Sequence, residues 1–301
     1  MRETPSRPVV PGDLRSPDFP AAPADLRLVV VDMDGTLLDE DGRLPADLPR
    51  ILDRLRAEGI VFAPASGRQY ATLRDMFAGV HGDSGATVDS YIAENGNVVV
   101  RDGELTAAEG MDPALVDEVI DAVRAARAVG MPMGLIVCHP ECAYVEIDQP
   151  GFNDEAAKYY HSREVVADLH AVNDGAIKLA IFDERGSELV AAPLMHDLVG
   201  GRLEVAVSGA CWVDMMVPGS HKGHAVRALQ ERLGVTAAQT AIFGDFLNDL
   251  QMMSAGDMSF AMANAHPDIK AAANYLAPSN TEAGVVVTLD RLLDEAAAAR
   301  S

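Results

Sequence analysis

Apolar positions fall into two kinds of pattern along this chain. Leu28, Val29, Val30 and Val31 are consecutive aliphatics, mostly β-branched, and predict a strand covered on both faces, as in a parallel sheet. Leu48, Ile51, Leu52 and Leu55 recur at helical spacing instead, and that pattern stops at Gly59, a residue suited to a helix C-terminus. Residues 60–65 (IVFAPA) predict a second buried strand and residues 70–77 a second helix. Strand, helix, strand and helix in that order imply a parallel sheet. Between the first strand and the first helix, Asp41-Gly42 is a tight-turn signal that predicts a small hairpin flap over residues 37–44.

Residues 92–100 (IAENGNVVV) read as a turn flanked by short strands, and from about Thr106 the character of the chain changes. A helix is predicted over 113–128, strands over 133–137, 143–147, 176–182, 204–208 and 212–217, and a helix near 188–199. Strand pairs this close in sequence imply a mainly antiparallel sheet with helices on one face. From Lys222 the first rhythm resumes, with a helix to Leu233, a strand at 241–243, a helix from Asn248, a strand at 258–261 and a helix at 266–274. The expected fold class is therefore α/β, with a Rossmann-like parallel-sheet core built from residues 26–105 and 216–295. An α+β cap domain, residues 106–215, is inserted between the two halves. Met252 and Met253 fall within a helix and read as packing residues.

With 301 residues the chain has room for two domains and a sizeable core. Residues 1–25 carry Pro5, Pro8, Pro11, Pro17, Pro20 and Pro23 without the apolar centre of a secretory signal, and are expected to be a disordered tail. No apolar stretch is long enough to span a bilayer, so a soluble protein is expected. A formal net charge of -22 disfavours broad contact with nucleic acid or an anionic membrane surface. A small anionic substrate fits only if the site itself carries a cation. Three cysteines, Cys138, Cys142 and Cys211, are too few for a disulfide framework and agree with a reducing cytoplasm. Cys138, His139 and Cys142 resemble half a zinc site, but no second ligand pair lies nearby at suitable spacing, and buried cysteines beside a loop histidine are the expectation.

Four polar groups stand at the ends of apolar runs: Asp32 and Asp34 after the first strand, Ser66 after the second, and Asp245 after residues 241–243. In a parallel sheet the carboxyl ends share one edge, so these residues are expected to meet there. Two carboxylates one residue apart, followed by Gly35 and the Thr36 hydroxyl, suit a hard cation with Asp32 facing an electrophile. The run GDFLND adds Asn248 and Asp249 at a helix start whose free amides favour anions. Lys222 lies at another helix start, where a solvated surface lysine is an equal reading.

The segments DMDGT, SGR, the HKG lysine and GDFLND, in this order, resemble the four motifs of haloacid dehalogenase superfamily phosphatases. The large insert, together with AMANA at 261–265 and the later NYLAPSNTEAG, resembles the Cof-type subfamily with its α+β cap, although MSFAMANA departs from the glycine-valine pattern usual there. The resemblance implies that Asp32 attacks a phosphoryl group to form an aspartyl-phosphate, and that Asp34 acts as general acid and then base. It implies Mg2+ held by Asp32, the Asp34 carbonyl and Asp245, with phosphate oxygens held by Ser66, Gly67 and Asn248 and charge neutralised by Lys222. Thr36 and Asp249 would support this set, Asp249 by orienting Lys222 or a metal-bound water.

The expected function is a Mg2+-dependent, cytoplasmic hydrolase of small phosphomonoesters, either sugar phosphates or phosphorylated cofactors. The alternative is a phosphotransferase or phosphomutase with the same aspartyl-phosphate chemistry, and a third class is a binding protein that keeps the fold without turnover. Oligomeric state is not legible. Substrate choice should lie in the cap, where His139, Glu141, Tyr144, Asn153 and Lys158 are candidates that a solvated surface explains equally well. Lys178, between Ile177 and Leu179, faces either solvent or the cleft.

Overall fold

The computed structural model describes residues 25–300 apart from 86, 108–109 and 147–149. The proline-rich segment expected to be a disordered tail lies outside the described residues except for Asp25. The end of the strand expected at 143–147 lies outside them as well.

The chain begins with β1 (Leu28–Asp32), α1 (Leu48–Ala57), β2 (Val61–Ala65) and α2 (Tyr70–Phe77). All five residues of β1 are buried, as a run of unbroken aliphatics requires. Leu48, Ile51, Leu52 and Leu55 form the buried face of α1. The predicted flap at 37–44 is not a hairpin. No strand forms there: a local turn is closed by backbone bonds from Asp39 N to Arg43 O and Gly42 N to Asp39 O, and by the Asp39 carboxylate, which accepts the backbone amides of Asp41 and Arg43. Next come β3 (Ser90–Ala93), β4 (Val98–Arg101) and β5 (Glu104–Ala107), the last two pairing antiparallel.

The middle of the chain supplies α3 (Pro113–Ala128), β6 (Met133–Cys138), β7 (Ala143–Val145), α4 (Pro150–Ala157), β8 (Arg163–Val165), β9 (Lys178–Asp183), α5 (Ala192–Val199), β10 (Glu204–Gly209) and β11 (Trp212–Met216). Their sheet has the order β10-β11-β9-β6-β7-β8 and is antiparallel except between β7 and β8. Alternation along β6 sends Leu135 and Val137 toward α3 and α5, while Ile136 and Cys138 pack with Phe152 and Ala156 of α4. Helices thus cover both faces of this sheet rather than one. The hydropathy pattern left α4 and β8 unassigned, and β8 carries its two exposed residues at the sheet margin.

The first sheet is completed by α6 (Lys222–Leu233), β12 (Thr240–Gly244), α7 (Leu250–Met253), β13 (Met258–Met262), α8 (Pro267–Ala272), β14 (Tyr275–Ala277) and α9 (Gly284–Arg300). Its order is β14-β13-β12-β1-β2-β3-β4-β5. Six neighbouring strands run parallel from β14 to β3, which places the C-terminal ends of β12, β1 and β2 side by side. The architecture is an α/β parallel-sheet core carrying a second, α+β sheet. No helix among the described residues is long and apolar enough to cross a membrane.

Candidate active site

The register of the central strands builds the site. Asp32 pairs with Ala65 and Val31 with Phe243, so Asp32, Ser66 and Asp245 leave the sheet in one row. Between Asp32 and α1 the chain turns sharply, with Gly35 at φ 78°. Gly35 is required there twice over: an added Cβ would lie 2.3 Å from Asp245 Oδ2, and the positive φ disfavours other residues. Thr36 Oγ1 donates to Asp245 Oδ1 at 3.0 Å and fixes that carboxylate against β1.

Lys222, at the start of α6, is fully buried, so the surface reading of this lysine does not hold. Its Nζ lies 2.5 Å from Asp32 Oδ1 and 2.7 Å from Asp249 Oδ1. The other Asp249 oxygen accepts the amides of Asp245 and Phe246 at 3.0 and 3.3 Å, which locks the GDFLND turn. Asp32, Asp245 and Asp249 each present an oxygen within 4.8 Å of the others; Asp32 and Asp249 are buried and Asp245 is half-buried. Burial, then the Asp249 charge, pushes Asp32 up to about 7 against the pull of Lys222. Burial, then the Asp32 and Asp249 charges, pushes Asp245 up to about 9. Burial alone would lower Lys222, but the Asp249 and Asp32 charges together outweigh it and hold the ammonium well above its ordinary value. Three crowded carboxylates facing one ammonium are short of positive charge. Hard oxygen donors with that deficit fit a divalent cation such as Mg2+.

Asp34 points away from this cluster. Both its oxygens accept from Arg68, Nε at 2.9 Å and Nη2 at 2.5 Å, and the Arg68 guanidinium also lies over the Tyr159 ring. Ser66 Oγ accepts the Arg68 amide at 3.1 Å, and Asn248 Nδ2 donates to Asn95 Oδ1 at 3.0 Å. Asp32, Asp34, Ser66, Gly67 and Asn248 line one cleft with about 450 Å³ of empty space, part of it open to solvent. The cap closes it with Tyr159, Tyr160, Ser208, Trp212 and Asp214. His139, Glu141, Tyr144, Asn153 and Lys158 do not line this cleft: His139 Nε2 meets Val172 O at 2.9 Å, and Lys158 pairs with Glu155 on the surface. Cys138 is buried in β6 and Cys142 sits in the turn before β7, without a clustered second ligand pair among the described residues.

Sequence reasoning passed over Arg68, Asn95 and Asp214. The first two lay within reach of the rule that found Asp32: SGR and ENG both follow apolar runs at the same sheet edge. Asp214 and Lys178 are single charges inside apolar strands, a signal that each needs a buried partner.

The match to known proteins covers this whole assembly. A family model described as haloacid dehalogenase-like hydrolase matches residues 29–289. The chain belongs to that family. It is an enzyme of the phosphatase type, with the α+β cap of the Cof-type subfamily. This family member is 29% identical to the 5-amino-6-(5-phospho-D-ribitylamino)uracil phosphatase of Escherichia coli (strain K12), over 89% of this chain and 96% of that one. It is 27% identical to the HMP-PP phosphatase of Cronobacter sakazakii, over 83% and 89% of the two chains. A crystal structure from Streptococcus mutans superposes with a TM-score of 0.78 at 25% identity, covering 89% of this chain and 99% of that one.

Proposed function

We propose that this haloacid dehalogenase-like enzyme hydrolyses small phosphomonoesters through a covalent phosphoryl intermediate on Asp32. One observation carries the reading: Asp32 is buried, its Oδ1 is pinned by Lys222, and its neighbours Asp245 and Asp249 form a site short of cations. Asp32 attacks phosphorus, forming a new P–O bond as the ester P–O bond breaks. Asp34 gives a proton to the departing oxygen and then takes one from the water that cleaves the acyl phosphate. Arg68 occupies both Asp34 oxygens, so Asp34 reaches the leaving group only after that guanidinium moves aside. Lys222, the Ser66 hydroxyl, the Gly67 amide and the Asn248 amide face the negative charge of the transferring group. Asp32, Asp245 and the Asp34 carbonyl would hold Mg2+, with Asp249 orienting Lys222. When bound, the ion supplies charge neutralisation of the phosphoryl oxygens.

The cleft that would take the leaving group is lined by Tyr159, Trp212 and Phe246 together with Asp214 and Ser208. Aromatic faces with a few convergent acceptors suit a flat, donor-bearing ring. The names of the two curated relatives, a phosphorylated ribitylaminouracil phosphatase and an HMP-PP phosphatase, support that class. A cytoplasmic location agrees with such metabolites. The test is a phosphate-release panel of phosphorylated heterocycles, sugars and nucleotides with magnesium. Release from at least one heterocycle at a higher kcat/KM than from hexose phosphates is expected. Isomerised product without free phosphate would replace hydrolysis with phosphotransfer.

Gly35→Ala provides a local test of the carboxylate cluster. The strained φ costs on the order of 1–2 kcal/mol, and the new methyl displaces the Asp245 carboxylate. Turnover is expected to fall at least about 100-fold and the magnesium-induced rise in melting temperature to vanish. Retention of both would show that Asp245 does not bind the ion.

A further inference from the structure

A second buried charge cluster joins the cap to the phosphate-facing loop, and the reaction outlined above gives no role to its lysine. Lys178, at the start of β9, is fully buried. Its Nζ donates to the Gly67 carbonyl at 2.7 Å and lies 2.5 Å from Glu94 Oε2, with Asp214 Oδ1 at 3.9 Å and the Tyr160 ring 5.2 Å away. Lys178 and Asp214 belong to the cap sheet, whereas Gly67 and Glu94 follow β2 and β3 of the core.

The core side of this contact is strained. Glu94 and Asn95 adopt φ of 52° and 55°, a conformation that non-glycine residues rarely take. The turn is tied to the SGR loop by Glu94 N to Arg68 O and Asn95 N to Ser66 O, both 3.0 Å. Gly96 completes it, since a Cβ there would lie 2.7 Å from His221 O. Asn95 then reaches both ways: its Nδ2 donates to Asp214 Oδ2 and its Oδ1 accepts from Asn248 Nδ2. The buried Glu94 carboxylate has Lys178 as its ion partner through Oε2, and Oε1 has no hydrogen-bond partner among the described residues. A fully buried carboxylate on a strained turn is costly unless a cation meets it. The cation that meets it comes from the cap.

We infer that Lys178 is a positioning residue for phosphoryl transfer: by gripping the Gly67 carbonyl and Glu94 together, it sets the Ser66-Gly67 loop and, beside it, the Asn95–Asn248 pair in the arrangement that faces the phosphate. Asp214 fixes the other end of the same tether through Asn95. The cap therefore shapes the phosphate site as well as covering it. This role rests on the phosphatase reading.

The experiment uses the full chain, wild type beside Lys178→Met and the double variant Lys178→Met/Glu94→Gln, with an aryl phosphate as substrate and orthovanadate as a phosphoryl probe in magnesium buffer. Lys178→Met strands Glu94 and is expected to lower the melting temperature. The double variant removes the stranded charge and is expected to recover much of that loss. In both, kcat is expected to fall about 100-fold, the scale of a reacting group displaced by about 1 Å, while KM changes less than threefold and vanadate inhibition weakens in step with kcat. Wild-type kcat in the double variant, or in a folded Lys178→Met protein, would overturn the positioning role alone, with the phosphatase reading standing on the wild type's turnover. A wild type that neither hydrolyses the ester nor binds vanadate would overturn both.

Discussion

Asp32→Asn is expected to abolish phosphoester turnover, by at least about 10³-fold, while leaving the protein folded. A nucleophile that forms a covalent intermediate has no substitute within the site, and losses on this scale follow when such a group is removed. Asparagine keeps the shape and a hydrogen-bond acceptor for Lys222, and Lys222 retains Asp249 at 2.7 Å. The substitution also removes a carboxyl that burial, then the Asp249 charge, pushes up to about 7, so no large loss of stability follows. Steady-state kinetics with an aryl phosphate and a thermal melt check both parts. A further check is acid quenching with phosphorus-labelled ester: label should remain on the wild-type chain in a hydroxylamine-sensitive form and be absent from the variant. Turnover within tenfold of wild type would remove Asp32 as nucleophile.

Removing magnesium should stop the reaction, and the effect of the ion on stability should depend on pH in a defined direction. Asp32 and Asp245 hold their protons more tightly in the folded chain, up to about 7 and about 9, than the ordinary 3.8 of an unfolded aspartate. A carboxyl raised in this way is protonated when folded and ionised when unfolded between those limits. The unfolded state then binds fewer protons, so the metal-free protein loses stability from these groups as pH rises from about 4 toward 7 and 9. A divalent cation needs the ionised ligands and displaces those protons, so its binding strengthens with pH. Each proton displaced makes the advantage grow by about 1.4 kcal/mol per pH unit. The rise in melting temperature caused by magnesium, measured against a chelator, should therefore be larger at pH 8 than at pH 5.5. An equal or smaller rise at pH 8 would show that these aspartates are not the ligands, and unchanged turnover after exhaustive chelation would remove the metal.

Local pattern was enough for much of the core. Unbroken aliphatics at 28–31 admit few conformations other than a buried strand, and the residue that ends such a strand in a parallel sheet falls at the binding edge. Elements carried by weak or short patterns were less legible. β8 and α4 lie in the cap with few apolar positions, β14 has three residues, and the Asp41-Gly42 turn is a local one held by Asp39 through its backbone and its side chain, with no strand on either side.

By itself the sequence determined the alternation of strands and helices and the convergence of Asp32, Ser66 and Asp245 on one edge. These follow from side-chain period and strand direction, which act over a few residues at a time. Only the tertiary structure decided that Asp34 pairs with Arg68, that Lys222 is buried between Asp32 and Asp249, and that Lys178 of the cap holds the Gly67 carbonyl of the core. A buried charge takes whichever partner the packed chain brings within about 3 Å. For Lys178 that partner lies 111 positions away, a distance over which no local pattern acts.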